Sequence, residues 1–145
     1  MESAALFDHL TKLYRPYMKI VQPLLDEYTL HPAQWLILKD IQAHPNTTLA
    51  QISKRRSIEK PTTRKILKVL DARGWLIVTP GEDKREKLLN LSSTGQDVHN
   101  ALKSKLSLVQ EELLASLQLS PSIEQQTLDL LHQLHQHMLY KITQD

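Results

Sequence analysis

The sequence predicts a mainly α protein interrupted once by a β-hairpin. Only three glycines occur in 145 residues, and leucine is the commonest residue, a composition of helices joined by few tight turns. Along most of the chain apolar residues recur at steps of three and four, the spacing of a helix face. After Gly74 that period stops, and a β-branched run, a turn cluster and a second short apolar run follow.

Leu6, Leu10, Leu13, Tyr17, Ile20, Leu24 and Tyr28 lie on one stripe of a long first helix. Pro16 and Pro23 each remove a backbone donor and crowd the preceding turn, so this helix is expected to be kinked or broken. A second helix follows Leu30-His31-Pro32, with the proline in the first turn. Its apolar face is Trp35, Leu36, Leu38 and Ile41, and Ala43-His44-Pro45-Asn46 ends it. Thr47 or Thr48 caps a short third helix, Leu49 to Arg56. A fourth begins near Glu59-Lys60-Pro61 and reaches Arg73, where Gly74 supplies the C-terminal cap.

Trp75 to Thr79 and Lys87 to Leu91 read as two strands around the turn Pro80-Gly81-Glu82-Asp83. Ser92, Ser93 or Thr94 caps the next helix, which runs to the region of Leu117 with Val98, Leu102, Leu106, Val109, Leu113 and Leu117 inward. Ser120-Pro121 opens a last helix carrying Leu128, Leu131, Leu134, Met138 and Ile142. Two short helices followed by a hairpin make a winged helix-turn-helix, flanked at both ends by long helices.

Charge is distributed unevenly over these elements. Eleven of the eighteen Lys and Arg residues fall between Lys54 and Lys87 beside five of the sixteen acidic ones, so that block carries a net +6 in a chain of net +2. A cationic block on one surface points to a polyanionic partner. The absence of cysteine excludes disulfides, thiolate metal sites and thiol nucleophiles. Residues Met1 to Asp8 lack the features of a secretory signal, and no run approaches the roughly 18 apolar residues of a membrane span, so a cytoplasmic location is expected.

In a helix-turn-helix the second helix enters the major groove of DNA, and residues near its N-terminus reach base edges. Lys60, Pro61, Thr62, Thr63, Arg64, Lys65 and Lys68 supply the exposed polar face, and Ile66, Leu67, Val69 and Leu70 the buried one. Arg64 is the candidate base contact, because guanidinium matches the paired acceptors of guanine. Thr62 and Thr63 suit a thymine methyl or a phosphate. Lys65, Lys68, Arg55 and Arg56 suit phosphates, which set affinity and register without reading sequence. At the wing tip Asp83, Lys84 and Arg85, with Lys87 behind them, place an arginine where it could enter a minor groove. Asp83 is expected to restrain its guanidinium.

These segments carry a resemblance. Leu49-Ala50-Gln51-Ile52, Lys60-Pro61-Thr62-Thr63-Arg64-Lys65-Ile66-Leu67 and Leu70-Asp71-Ala72-Arg73-Gly74-Trp75-Leu76 resemble the DNA-binding core of the multiple antibiotic resistance regulators, the MarR family. Asp83-Lys84-Arg85 is similar to that family's Asp-x-Arg wing signature, and Leu91-Ser92-Ser93-Thr94-Gly95 to the Leu-Thr-x-x-Gly that follows it, with Ser92 in the usual Thr place. The resemblance implies one domain over residues 1–145, with the winged part at 30–94 and dimerisation helices at 1–29 and 95–145. It also implies a homodimeric, ligand-responsive transcription factor, usually a repressor, on a pseudo-palindromic operator. Leucine-rich terminal helices, and the spacing of about 34 Å between paired recognition helices, agree with a dimer. The alternative is a helical dimeric adaptor for an acidic protein.

The resemblance places a small-molecule pocket at Tyr14, Tyr17, Tyr28, His31 and Trp35, side chains suited to an aromatic or phenolic effector, although core packing explains the same residues. His132 and His135 share a helix face near His137, but companions at ligand spacing are missing, so no metal is expected. No phosphate-cradling loop or nucleophile elbow occurs, so neither a cofactor nor enzyme activity is expected.

Overall fold

The computed structural model describes residues 2–144. Among the described residues, six helices and one hairpin follow in the order α1 (Ser3–Asp26), α2 (Pro32–Ala43), α3 (Leu49–Arg56), α4 (Lys60–Ala72), β1 (Leu76–Pro80), β2 (Lys87–Leu91), α5 (Ser93–Ala115) and α6 (Pro121–Ile142). The strands are antiparallel, with Leu76 opposite Leu91 and Pro80 opposite Lys87. The chain divides into two units, Met1–Leu106 and Ser107–Asp145.

Within the first unit the core is built from Leu25 of α1, Leu30 of the corner, Ile37, Leu38 and Ile41 of α2, Ile52 of α3, Leu70 of α4 and Leu102 of α5, each at most 2% exposed. Two caps follow their sequence signals closely. Thr48 accepts from Gln51 N at 3.3 Å while Gln51 Oε1 accepts from Thr48 N at 3.2 Å, a reciprocal capping box that starts α3. Ser92 Oγ accepts from Gly95 N at 3.1 Å and starts α5.

Two expectations are corrected. Of the kinked or broken first helix expected, the break does not occur: α1 is a single helix through both prolines. Pro16 and Pro23 lie on its exposed side, where water can satisfy the carbonyls whose donors they remove, so the prolines do not end it. Trp75 is not part of β1. Its N–H donates back to Leu70 O at 3.1 Å and that of Gly74 to Asp71 O at 2.9 Å. Gly74, at φ 76, takes the left-handed position of this closure. Trp75 therefore belongs to the helix cap, and the strand starts one residue later.

In the second unit no described residue is buried. Leu113 and Leu117, expected to face inward, are 42% and 61% exposed, as are Leu128 at 60% and Met138 at 42%. In the first unit α1 likewise exposes Phe7, Leu13, Tyr14 and Ile20. Among the described residues no helix is long and apolar enough to cross a membrane.

Candidate nucleic-acid interface

α3 and α4 meet through a tight corner. Ser57 adopts the left-handed conformation at φ 53, and Ile58 N reaches back to Ser53 O at 3.0 Å. One hydrogen bond then joins the helices in the interior, Ser53 Oγ donating to Thr63 Oγ1 at 2.9 Å, while the Thr63 hydroxyl donates to Glu59 O at 3.3 Å. Thr63 is 0% exposed. It cannot touch DNA, and that expectation is withdrawn: its hydroxyl fixes α4 on α3. Ile66, Leu67 and Leu70 are buried below it, whereas Val69, also expected inside, is 36% exposed. Lys60, Pro61, Thr62, Arg64, Lys65 and Lys68 form the outer face.

The wing faces that helix across a cleft of about 860 Å³. Lys60, Arg64 and Lys68 line it from α4, and Arg85 and Lys87 from the wing, against the carboxylates Asp71, Asp83 and Glu86. Among the described residues none of these five cations is held in an ion pair. They are therefore available to an external anion, and water-exposed cations on facing walls focus a positive potential between them.

At the tip, Asp83 acts differently from expectation. Its Oδ1 accepts the backbone N–H of Arg85 at 3.0 Å, and its carbonyl that of Glu86 at 2.9 Å. Gly81 N donates to Glu86 O at 2.8 Å across the turn. Asp83 thus shapes the loop main chain rather than gripping the arginine head, the usual behaviour of an Asx side chain in a turn. Lys84 and Arg85 are left exposed. The root of the wing is laced to the α2–α3 turn. Asn46 N donates to Asn90 Oδ1 at 2.9 Å, Asn90 Nδ2 to Asn46 Oδ1 at 2.8 Å, and Leu89 N to Thr47 O at 2.8 Å.

Arg55 is also corrected. Its Nε lies 3.1 Å and 3.2 Å from the two oxygens of Asp40, and its Nη2 2.7 Å from Asp40 Oδ2, while Nη2 also donates to Thr47 Oγ1. The Asp40 side chain is only 5% exposed. This bidentate pair clamps α3 to α2 and occupies the guanidinium that was expected to meet phosphate. Arg56 is half-buried. Partial desolvation, followed by the charges of Arg56 and Lys103, pulls the Lys39 ammonium below its usual pKa. That ammonium sits 5.8 Å from the Trp35 ring centroid.

The five expected effector residues are spread over several roles. Tyr14 is 55% exposed and Trp35 is buried, stacked on His99 with centroids 5.5 Å apart. Tyr17 and Tyr28 are half-buried and His31 is exposed, its backbone N–H donating to Gln34 Oε1 at 3.0 Å. Neither this cleft nor a smaller one at Glu111, Leu114 and Gln118 is lined by any of the five. His99, at 3% exposure, was missed by the sequence reading. Its spacing from Gly95, Leu102 and Leu106, all buried on α5, was the available signal. Among the described residues no group of three or more His, Asp or Glu side chains could hold a metal ion.

Comparison with known proteins gives consistent matches. The sequence profile of the MarR family matches residues 28–86. An HTH-type transcriptional regulator of Staphylococcus aureus is 36% identical over 146 aligned positions, covering 100% of both chains. The native structure of a Staphylococcus aureus MarR is 37% identical, covers 97% of this chain and 99% of its own, and superposes with a TM-score of 0.89. A structure of Staphylococcus aureus MarR in complex with salicylate and kanamycin is also 37% identical, with coverages of 95% and 93% and a TM-score of 0.85.

Proposed function

Given that this chain belongs to the MarR family of DNA-binding transcriptional regulators, we propose that it works as a homodimeric repressor, occupying a pseudo-palindromic operator until a small ligand releases it. The observation that carries the reading is the cleft whose two walls, α4 and the wing, offer five cations free of ion pairs. Arg64 reads base edges in the major groove and Arg85 enters the adjoining minor groove. Lys60, Lys65, Lys68, Lys84 and Lys87 neutralise phosphates, with Thr62 and Pro61 packed against the backbone.

The apolar residues that α1, α5 and α6 leave exposed favour a second copy as their cover. A two-fold pair also fits the chemistry, because two recognition helices separated by about 34 Å match successive major grooves on one face of DNA. The complex of the Staphylococcus aureus relative with salicylate favours an aromatic acid as effector here. It would act by binding more tightly to a dimer whose recognition helices are wrongly spaced, a shift that needs differential affinity between the two states. Tyr14, Tyr17, Tyr28, His31 and Trp35 remain the side chains proposed to meet it.

A salt titration on duplex DNA tests the reading. Log affinity should fall linearly with log salt, with a slope of about −0.9 per phosphate contacted. Absence of duplex binding in dilute buffer, with retention of an acidic protein partner, would favour the adaptor instead.

A further inference from the structure

The corner between α1 and α2 closes as the end of α4 does. Leu30 N donates to Leu25 O at 3.1 Å and Thr29 N to Asp26 O at 3.0 Å. Glycine usually takes the left-handed position of this closure. Here it is Thr29, at φ 53, a conformation that a β-branched residue adopts rarely and at a cost in energy. The strained corner holds two carbonyls towards α4. Arg73, which caps α4, donates from Nη1 to Tyr28 O at 3.0 Å and from Nη2 to Thr29 O at 2.7 Å. Its guanidinium carbon lies over the Trp75 ring, 4.9 Å from the centroid. The same corner receives α5, since Lys105 Nζ is 2.6 Å from Glu27 Oε2 and 5.2 Å from the Tyr28 ring centroid. Glu27, Tyr28 and Thr29 are thus held by one cation from α4 and one from α5.

We propose that Arg73 is a positioning residue for DNA reading, which refers the angle of α4 to α1 and thereby sets the separation of the two recognition helices. The inference rests on the dimeric reading above, in which α1 helps to cover the second copy. Its lever is long. At 13 residues α4 spans about 20 Å, so a tilt of about 10° at Arg73 moves the opposite end by about 3.5 Å. That displacement is close to one base-pair step of about 3.4 Å.

The test uses a duplex selected by the wild-type protein from a randomised pool, and copies of it with one or two base pairs added between half-sites. Each added pair shifts one half-site by about 3.4 Å and turns it by about 34°. The wild type should lose affinity on the order of 100-fold with one added pair, the shift that the lever can match, and Arg73→Gln on the order of tenfold or less. Discrimination against a changed base within a half-site should be the same in both. An undiminished spacer penalty in Arg73→Gln, even with uniformly weaker binding, would overturn the proposal, because loss of stability alone weakens every duplex equally. Should Arg73→Gln fail to fold, Arg73→Lys, which keeps the charge and a donor, is read in the same way. Failure of the wild type to select any duplex, or selection of a single half-site, would instead overturn the dimeric reading, before any Arg73 variant is compared.

Discussion

Removing the Arg55 head while keeping its stem separates a structural clamp from a DNA contact. In Arg55→Met the Asp40 carboxylate, 5% exposed, loses its bidentate partner. Breaking a buried pair from one side costs about 3–5 kcal/mol, most of it from the stranded charge. Arg55 itself is 28% exposed, so water can reach part of the gap, and the lower end, about 3 kcal/mol, is the expected loss. Against a typical domain stability of about 5–15 kcal/mol that is a large fraction. Replacing both residues, Arg55→Met with Asp40→Leu, removes the stranded charge and should recover about 2 kcal/mol of it. Urea unfolding at one fixed protein concentration measures all four corners of the cycle. On DNA, Arg55→Met should leave the salt slope unchanged, whereas Lys65→Ala should lower its magnitude by about 0.9. An Arg55→Met variant as stable as the wild type to within about 0.5 kcal/mol, with a slope reduced by one contact, would refute the clamp.

Three further outcomes are expected. A β-carbon on Gly95 would collide with Trp75 O, so Gly95→Ala must push the start of α5 off the cap of α4 and should cost about 2–3 kcal/mol in denaturant unfolding; a loss under about 0.5 kcal/mol would contradict the packing. Thr63→Val removes the acceptor of the buried Ser53 hydroxyl and should destabilise by about 1–3 kcal/mol. The same variant should leave operator base preference unaltered in a mismatch series, since its side chain is enclosed. Asp83→Asn keeps the acceptor for Arg85 N and removes a negative charge, so it should bind DNA at least as well as the wild type. Asp83→Ala, which loses the 3.0 Å bond, should weaken binding about fivefold, a cost of about 1 kcal/mol. Equal losses in the two gel-shift titrations would return Asp83 to gripping the guanidinium.

Local signals were legible wherever one residue type has one physical use. Gly74 after α4 is a cap in sequence and in the fold, and of the candidates Thr47 or Thr48 before α3 and Ser92, Ser93 or Thr94 before α5 the fold uses Thr48 and Ser92. The return strand Lys87–Leu91 was legible as a short apolar run behind a turn cluster. What failed depended on partners distant in sequence. Arg55 looked like any basic residue until Asp40, fifteen positions earlier, proved to be buried beside it. Thr63 sat among exposed neighbours, and only the approach of Ser53 from α3 turned it inward. The left-handed Thr29 carried no glycine to announce it. The prolines of α1 were given weight as breakers, although their position on the solvent side of a long helix made them tolerable.

The lacing of Asn46 to Asn90, with Leu89 N on Thr47 O, has an evolutionary consequence. It bolts the hairpin to the scaffold without enlisting Lys60, Thr62, Arg64 or Lys65. Those outward positions can therefore be exchanged without disturbing the frame that presents them. A lineage carrying this frame can be retargeted to new promoters by a few surface replacements, each tested by selection at little risk to folding.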